Sequence, residues 1–356
     1  MYFIYDDFYQ KHENGISHPE NPERLVYIKK AIGSLAEKGI IKYSAPYRAK
    51  DSQIEMVHDP RYIKNVKNLS AQGGLSFLDM DTGVNEYTYE CSLLAAGGCF
   101  KGMDLILGNN PEYKKFFLVC RPPGHHAFPA RGSGFCIFNN VSLGARYARN
   151  KYGIKKAAIV DFDAHHGNGT QDIFYEDDSM FYISFHQYPH YPGTGDVKET
   201  GYGKGKGCNM NFPFVSGTKE PDYLVAMVDI IMPVLEDYGP ELIIVSAGYD
   251  SHFSDCMSSL GLVEESYKKI MTALSFFAGK YCDKKMAIVL EGGYDHQSTA
   301  DSVVSTILGS NEEDVGSIKN INDLKGLLGI DEDYRENRVK NNVVIDQVEK
   351  VFSPHK

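Results

Sequence analysis

The chain has 356 residues, a length that fits two average domains or one large α/β domain. Acidic residues outnumber basic ones by 47 to 37, and the net charge of −10 argues against a general nucleic-acid-binding protein, which contacts phosphates through Lys and Arg. The N-terminus lacks the basic and apolar regions of a signal peptide, and no run of about 18 apolar residues occurs, so we expect neither secretion nor a membrane span.

Helices and strands are predicted to alternate along the chain. A first helix is predicted with Asn21 as its N-cap candidate and Pro22 as its first residue. Helical spacing recurs in Tyr223–Leu235 and in Val263–Tyr281. Five short apolar runs predict buried strands, namely Phe116–Cys120, Ala157–Val160, Met180–Phe185, Leu242–Ser246 and Met286–Leu290. This alternation predicts an α/β fold with a single, mostly parallel sheet that helices flank on both faces.

The residues after position 310 are more polar and carry acidic clusters at 312–314 and 331–333. Apolar residues nevertheless recur there at helical spacing, at Val339, Val343, Val344, Val348, Val351 and Phe352. The pattern favours a terminal helix that packs on the body of the protein, or on a partner, over a free tail. We therefore expect one domain, with its main body in residues 1–310 and a helical extension packed on it in residues 311–356.

The seven cysteines include no Cys-x-x-Cys pair, which excludes a cysteine-based zinc knuckle. Their odd number and mostly apolar surroundings favour free thiols in a reducing, cytoplasmic setting over a disulfide framework. No Gly-x-Ser-x-Gly motif is present, so a serine hydrolase of that type is also excluded.

Polar residues among glycines follow each predicted strand directly. The segments are Arg121–His126, Asp161–Gly169, His186, Ala247–Asp250 and Glu291–Tyr294. Ligands of open α/β sheets bind outside the carboxyl ends of the strands, so we expect these five segments to converge on one site.

The densest of these segments predicts a metal site. Asp163 and His165 point to the same side of an extended chain and can bind one ion, and Asp161 shares that side as an outer acceptor. Asp250, on a turn after a later strand, is a natural third ligand. Two carboxylates and one imidazole leave a fourth position open, as a catalytic zinc requires, although Fe(II) or Mn(II) also suits these ligands. The alternative is a buried histidine that is hydrogen-bonded to an aspartate.

Two further groups suit catalysis. His125 and His126 follow Pro-Pro-Gly, and adjacent imidazoles on a stiff loop suit a general acid/base pair; further metal ligands or buried structural histidines are the alternatives. Tyr294 follows Gly292 and Gly293, a flexible pair that would let its hydroxyl reach a substrate and stabilise an oxyanion. A packed aromatic residue is the alternative for Tyr294.

Seven ordered motifs resemble the histone deacetylase and acetylpolyamine amidohydrolase family, which has the arginase/deacetylase fold. The motifs occupy residues 18–24, 121–127, 134–140, 161–171, 191–196, 246–250 and 291–294. The Gly-Asn-Gly-Thr-Gln sequence from position 167 and the Asn-Asn pair after Phe138 are closer to the class II and acetylpolyamine branches than to class I. The resemblance implies a deacetylase catalytic domain in residues 1–310.

The resemblance also implies roles for individual residues. Zn²⁺ ligands would be Asp163, His165 and Asp250. His126 would act first as general base and then as general acid, and its supporting residues would be His125, Asp161 and Asn168. Tyr294 would donate to the oxyanion. Phe135 and Tyr191 would form the walls of a narrow acyl-lysine channel, and Gly134 would line it beside them. Met257 would lie at the mouth of the channel, and Asp81 would accept a hydrogen bond from the substrate backbone. Family members bind monovalent cations, so a structural K⁺ is implied near Asp161, Asp163, His165, Ser184 and Phe185.

The substrate stays open between acetyl-lysine in proteins or peptides and acetylated polyamines. We expect acetyl-lysine, because apolar Met257 stands where a carboxylate would meet the second ammonium of a polyamine, although Asp255 lies two residues earlier. Dimerisation narrows the entrance of acetylpolyamine enzymes, so a homo-oligomer is a further implication.

Two other classes of function are less favoured. A two-manganese ureohydrolase lacks its final carboxylates, since His166 and Gly167 follow His165 and His252 stands two residues after Asp250. A non-catalytic acyl-lysine-binding module is not supported either, because every expected catalytic residue is present.

Overall fold

The computed structural model describes residues 1–109, 111–311, 315, 318–338 and 342–352. Its strands are β1 (Tyr2–Ile4), β2 (Lys42–Ser44), β3 (Ser76–Phe77), β4 (Gly83–Val84), β5 (Lys115–Leu118), β6 (Ala157–Asp161), β7 (Met180–Gln187), β8 (Asn209–Phe214), β9 (Leu242–Ala247) and β10 (Met286–Leu290). Its α-helices are α1 (Glu23–Ala31), α2 (Gly33–Glu37), α3 (Asp51–Ile54), α4 (Pro60–Gln72), α5 (Thr88–Leu107), α6 (Asn140–Tyr152), α7 (Asn168–Phe174), α8 (Glu220–Val225), α9 (Met232–Tyr238), α10 (Glu264–Tyr281), α11 (His296–Ser310), α12 (Ile321–Leu328), α13 (Glu332–Glu336) and α14 (Asn342–Phe352). Short 3₁₀ helices occupy Asp7–Lys11 and Gly203–Gly205, and a π-helical turn occupies Ala226–Ile231.

The main sheet has eight strands in the order β2-β1-β5-β10-β9-β6-β7-β8, and every neighbouring pair is parallel. The predicted α/β fold with a mostly parallel sheet is therefore confirmed. Strands β3 and β4 form a separate antiparallel ribbon. Because β9 and β10 lie between β5 and β6, the chain changes direction within the sheet there, and such a switch point is where α/β folds place ligands.

Both faces of the sheet are covered. Every residue of β6, β9 and β10 is buried, although successive side chains point to opposite faces. Helix α5 packs on β1, β5 and β10 and on α6, whereas α10 packs on β9 and on α11, which also contacts α1. Among the described residues, no helix has both the length and the apolar composition needed to cross a bilayer.

All five predicted strands are present, but the sequence analysis missed β1, β2 and β8 of the main sheet and both strands of the ribbon, β3 and β4. Strand β8 alternates asparagine with apolar residues and contains Pro213. Proline cannot donate a ladder hydrogen bond and is confined to edge strands, and β8 is the last strand of the sheet.

Two predicted helices differ in detail from the structure. Helix α1 begins at Glu23, one residue later than expected, and the Asn21 side chain accepts from the Glu23 N–H at 3.1 Å. The predicted helix at Tyr223–Leu235 is interrupted by the π-helical turn. Pro233 lacks the N–H that would continue the α-helical ladder, which explains why the irregular turn lies just before it.

The C-terminal prediction is described in part. Val339 and the acidic cluster Glu312–Asp314 lie outside the described residues. Helix α14 packs on β8, its Ile345 and Val348 are buried, and the ring of Phe352 lies 6.2 Å from that of Phe181. The division of the chain at residue 310 stays a prediction.

Candidate active site

Four of the five predicted polar segments meet at the carboxyl ends of β5, β6, β9 and β10, whereas His186 lies within β7 and does not follow it. Asp161, the last residue of β6, lies in register with Ser184 in β7 and Ser246 in β9. The next residues of each chain segment leave the sheet at the same edge and bring their side chains into a common, buried cluster.

Asp163, His165 and Asp250 form one buried group, in which one ligand atom from each lies within 4.8 Å of the others. His165 Nδ1 is 2.9 Å from Asp250 Oδ2 and 3.1 Å from Asp163 Oδ1. These separations are close to the roughly 3.3 Å between two ligands of one tetrahedral zinc ion. Two buried carboxylates need a compensating cation, so the donors fit a divalent metal.

Backbone N–H groups hold the carboxylates of Asp163 and Asp250 in place. Asp250 Oδ1 accepts from the Ala164 N–H at 2.8 Å, and Asp163 Oδ2 accepts from the Gly292 N–H at 2.8 Å. A Cβ atom at Gly292 would lie 2.4 Å from Asp250 Oδ2 and 2.6 Å from Asp163 Oδ2. Glycine is therefore required at position 292 because the backbone passes close to both carboxylates, and not because of the flexibility that we predicted.

The two adjacent histidines have different partners. His126 Nδ1 lies 2.9 Å from Asn168 Oδ1, so this nitrogen carries the proton, and Nε2 has no protein partner among the described residues. Burial, together with repulsion from His125 and His165, holds the pKa of His126 well below its ordinary value. His126 is therefore neutral near pH 7 and able to accept a proton at Nε2.

His125 is held by carboxylates instead. Its Nδ1 lies 3.1 Å from Asp161 Oδ2, which also accepts from the Tyr182 hydroxyl at 2.9 Å. Burial alone would lower the pKa of His125, but the carboxylates of Asp163 and Asp161 outweigh it and raise the pKa to about 10. The His125 and His126 ring centroids are 4.0 Å apart, so a positive charge stands directly beside the neutral imidazole.

Aromatic side chains surround this cluster. Gly134 and Phe135 both have left-handed backbone conformations, with φ of 54° and 69°. A Cβ at Gly134 would lie 2.5 Å from His126 Cδ2, so only glycine fits there. The Phe135 ring is 5.8 Å from that of Tyr294, and the Tyr191 ring is 5.2 Å from that of His126. Phe135 is 9% exposed and Tyr191 46%, so they line the site at different depths.

Tyr294 lies beside the metal-binding group. Burial raises its pKa well above the ordinary value, and Asp250 and Asp163 are close enough to raise it further. No described residue is hydrogen-bonded to its hydroxyl, which is therefore free to donate to a ligand.

The remaining predicted channel residues, Asp81 and Met257, contact the site less directly. Asp81 is exposed, and its backbone carbonyl lies 3.1 Å from His18 Nε2. Neighbouring Asp79 reaches the channel walls instead, since its Oδ2 accepts from the Gly134 N–H at 3.3 Å. Met257 contributes its backbone, with its carbonyl 2.8 Å from His190 Nε2.

The residues proposed around K⁺ lie together at the end of β6 and β7. Ser184 is fully buried, and its hydroxyl lies 2.9 Å from His186 Nδ1. Within the described part of the chain, the backbone carbonyls of Asp163 and His165 accept no hydrogen bond. Unpaired carbonyl oxygens in a buried site suit a weakly hydrated monovalent cation.

The sequence analysis missed one positioning group and one ring contact. Glu291 accepts from the N–H groups of Gly124 and His125 at 2.7 and 3.1 Å, and so holds the histidine loop. The sequence feature that could have identified Glu291 is its position directly after a predicted strand. The His190 ring stacks on His165 with centroids 4.9 Å apart, but no spacing rule predicts that contact.

Glu291 also lies near His125 and Cys136, and the three could in principle hold a metal. Burial raises the pKa of the Cys136 thiol well above its ordinary value, so the thiolate that a metal requires is disfavoured. All seven cysteines are free thiols.

Comparison with known proteins is consistent across sequence and structure. Residues 18–309 match the family model described as histone deacetylase domain. The chain is 40% identical over 296 residues to a protein of Archaeoglobus fulgidus named "Probable deacetylase", covering 82% of this chain and 80% of that protein. It is 34% identical over 300 residues to the "Polyamine deacetylase HDAC10" of Danio rerio, covering 81% of this chain and 43% of that protein. Among solved structures it is similar to the HD domain of HDA15, with a TM-score of 0.82 and 30% identity over 95% of this chain and 99% of that one.

Proposed function

The chain belongs to the histone deacetylase family, and on that premise we propose that it is a zinc-dependent amidohydrolase acting on acetyl-lysine side chains of proteins and peptides. Hydrolysis of the acyl amide would release acetate and the free amine. The observation that carries the proposal is the convergence of a buried metal-binding group with the free Nε2 of His126 and the free hydroxyl of Tyr294.

The metal would be held by Asp163, His165 and Asp250. Zn²⁺ at such a site polarises a carbonyl and lowers the pKa of a water molecule. Three protein ligands leave room for substrate and water, as catalytic zinc sites require. The second group, formed by His125, Cys136 and Glu291, suits a metal less well, because burial keeps the Cys136 thiol protonated.

His126 would move the protons of the reaction. Its Nε2 takes a proton from the water that attacks the acyl carbon, and Asn168 keeps the ring oriented through Nδ1. His125, held in its charged form by Asp161, stands beside it. His126 then gives the proton to the leaving amine as the C–N bond breaks, which releases the amine and acetic acid, and the acid ionises to acetate near pH 7.

Tyr294 would stabilise the charge that develops on the carbonyl oxygen, because its hydroxyl can donate there. The aromatic rings of Phe135 and Tyr191 would enclose the methylene chain of the acylated amine and exclude bulk water. Gly134 supports this arrangement, since it lets the Phe135 loop pass directly over His126.

Acetylated polyamines are the second candidate substrate. The name of the Danio rerio relative favours them, and so do the exposed carboxylates of Asp79 and Asp81, which would attract a second ammonium group. Against them, apolar Met257 stands at the expected gate position, and Asp255 is buried with its carboxylate directed to three backbone N–H groups.

A structural K⁺ would be bound by Asp161, Asp163, His165, Ser184 and Phe185. The unpaired carbonyls of Asp163 and His165 support this proposal. The ion would hold the loop after β6 and thereby the metal ligands.

The test is kcat/KM of one zinc-loaded preparation on an acetyl-lysine peptide and on an acetylated polyamine. A preference for the peptide supports the proposal, whereas a strong preference for the polyamine replaces its substrate with the second candidate. Hydrolysis of neither substrate by a preparation with one bound zinc per chain would contradict the deacetylase proposal and favour an acyl-lysine-binding module. An Asp250→Asn variant serves as the inactive control.

A further inference from the structure

A buried carboxylate outside the proposed catalytic machinery holds the loop that carries Tyr294. Asp255 lies between β9 and α10 and is only 4% exposed. Its Oδ2 accepts from the N–H groups of Tyr294 and Asp295 at 2.5 and 2.9 Å, and its Oδ1 accepts from the Met257 N–H at 2.9 Å. No Lys or Arg among the described residues pairs with it. The negative charge is therefore stabilised by backbone N–H groups alone, which are strong, charge-assisted donors.

The Tyr294 backbone depends on this carboxylate. Upstream, Gly293 has φ of 112°, a conformation that glycine adopts freely. Downstream, the Asp295 side chain caps α11 through the Ser298 N–H at 2.9 Å. Asp255 connects these two parts, because its Oδ2 binds the consecutive N–H groups that lie between the glycine and the helix.

The side chain of Tyr294 has no polar anchor of its own. Its ring lies 5.8 Å from the Phe135 ring and 5.1 Å from the Arg24 guanidinium carbon, but no described residue is hydrogen-bonded to its hydroxyl. Contacts between rings resist sliding of the Tyr294 ring only weakly, so the position of its hydroxyl depends on the Tyr294 backbone. A displacement of about 1 Å is enough to cost on the order of 100-fold in rate.

We propose that Asp255 is a positioning residue for Tyr294, whose hydroxyl it holds in place through the Tyr294 backbone. This inference rests on the deacetylase function proposed above. It also replaces the sequence-based idea that Asp255 meets a substrate ammonium, since all the hydrogen bonds of its carboxylate in the described chain go to the backbone.

The same carboxylate reaches the channel mouth through Met257. The Met257 carbonyl lies 2.8 Å from His190 Nε2, and the His190 ring stacks on the metal-binding His165. Asp255 thus joins the Tyr294 loop to the opposite wall of the site. Its loss should disturb kcat through Tyr294 more than it disturbs metal binding, because the carboxylates of Asp163 and Asp250 accept from other backbone N–H groups and make no hydrogen bond to Asp255.

The test is a double-mutant cycle with Asp255→Asn and Tyr294→Phe in the zinc-loaded full chain. Asparagine keeps the size of the side chain but replaces one acceptor oxygen with an NH₂ group that cannot accept. We expect Asp255→Asn to lower kcat on the order of 10- to 100-fold with KM changed less than about 3-fold, and to have under about 3-fold effect when Tyr294 is already Phe. Asp237→Asn, on the exposed side of α9, is the matched control and should match the wild type.

Three outcomes would overturn the proposal. These are wild-type kcat in Asp255→Asn, an equal loss of kcat in both Tyr294 backgrounds, or a rise in KM for an acetylated polyamine alone, which would make Asp255 a substrate contact. An inactive wild type would instead contradict the deacetylase proposal itself.

A second measurement does not depend on activity or on the folding of a variant. Hydrogen exchange in the wild-type protein should show the Tyr294 and Asp295 amides protected at least 100-fold relative to the unfolded chain. Exchange of both amides at the unfolded rate would show that the carboxylate does not hold this loop.

Discussion

A single oxygen atom separates Tyr294 from phenylalanine, and that atom is the proposed donor to the oxyanion. Tyr294→Phe keeps the ring contacts with Phe135 and Arg24, so the fold, zinc content and substrate binding should be close to those of the wild type. Loss of an oxyanion donor should lower kcat on the order of 10²- to 10³-fold. Steady-state kinetics with metal analysis checks this, and near wild-type turnover would contradict the role of Tyr294.

Asn168 determines how the proposed base responds to pH. His126 acts in its neutral form, and its lowered pKa keeps kcat/KM high as the pH falls below 6.5. An Asn168→Asp carboxylate next to Nδ1 would stabilise the protonated ring and raise the pKa of His126. The acid limb of the kcat/KM profile should therefore move up by about 1 to 2 pH units. An unchanged limb would show that another group controls it; Asn168→Ser, which adds no charge, is the control.

Residues of the site differ in how far sequence alone could predict them. Asp163 and His165 are two positions apart, so strand parity alone places them on one side. The third partner, Asp250, follows from the rule that strand ends converge. The role of Asp255 could not be predicted, because its partners are backbone N–H groups in a distant loop and backbone groups leave no signature in the side-chain pattern.

Helix α14 offers the clearest prediction for a secondary-structure element, because its two faces differ sharply. Ile345 is 3% exposed on the face toward β8, whereas Val343 is 67% exposed. Ile345→Ala should lower the free energy of unfolding by roughly 2 to 4 kcal/mol, and Val343→Ala should change it by less than about 0.5 kcal/mol. Urea unfolding of both variants checks this. Equal effects would mean that α14 does not pack on β8 in solution.

Secondary-structure elements could be predicted from the sequence where nearly all of their residues are buried and apolar. The five central strands are nearly continuous apolar runs, because parallel strands are covered on both faces. Edge strand β8 alternates polar and apolar residues, and the two strands β1 and β2 have only three residues each, so periodicity could not identify them. The π-helical turn before Pro233 keeps a helical pattern while its hydrogen bonds change, and only coordinates reveal that difference.

For the molecule as a whole, we expect the proposed catalytic metal to raise the free energy of unfolding as well. The carboxylates of Asp163 and Asp250 are buried a few ångströms apart, and without a metal their charge is compensated only by the neighbouring histidines, His125 and His165. A metal that binds only the folded chain adds about 2.7 kcal/mol when its free concentration is 100 times Kd. Chelation should therefore lower Tm by several degrees, and added Zn²⁺ should restore it.

Asp250→Asn separates this linkage from a general effect of the chelator. The variant removes one buried charge and one metal ligand, so its Tm should respond little to either chelator or Zn²⁺, and it should bind less zinc. Differential scanning calorimetry with parallel metal analysis measures both quantities on the same samples. If chelation removes the metal from the wild type and leaves Tm unchanged, the three ligands do not couple an ion to folding. The charge of the buried carboxylates would then be compensated by protonation or by the neighbouring His125 and His165.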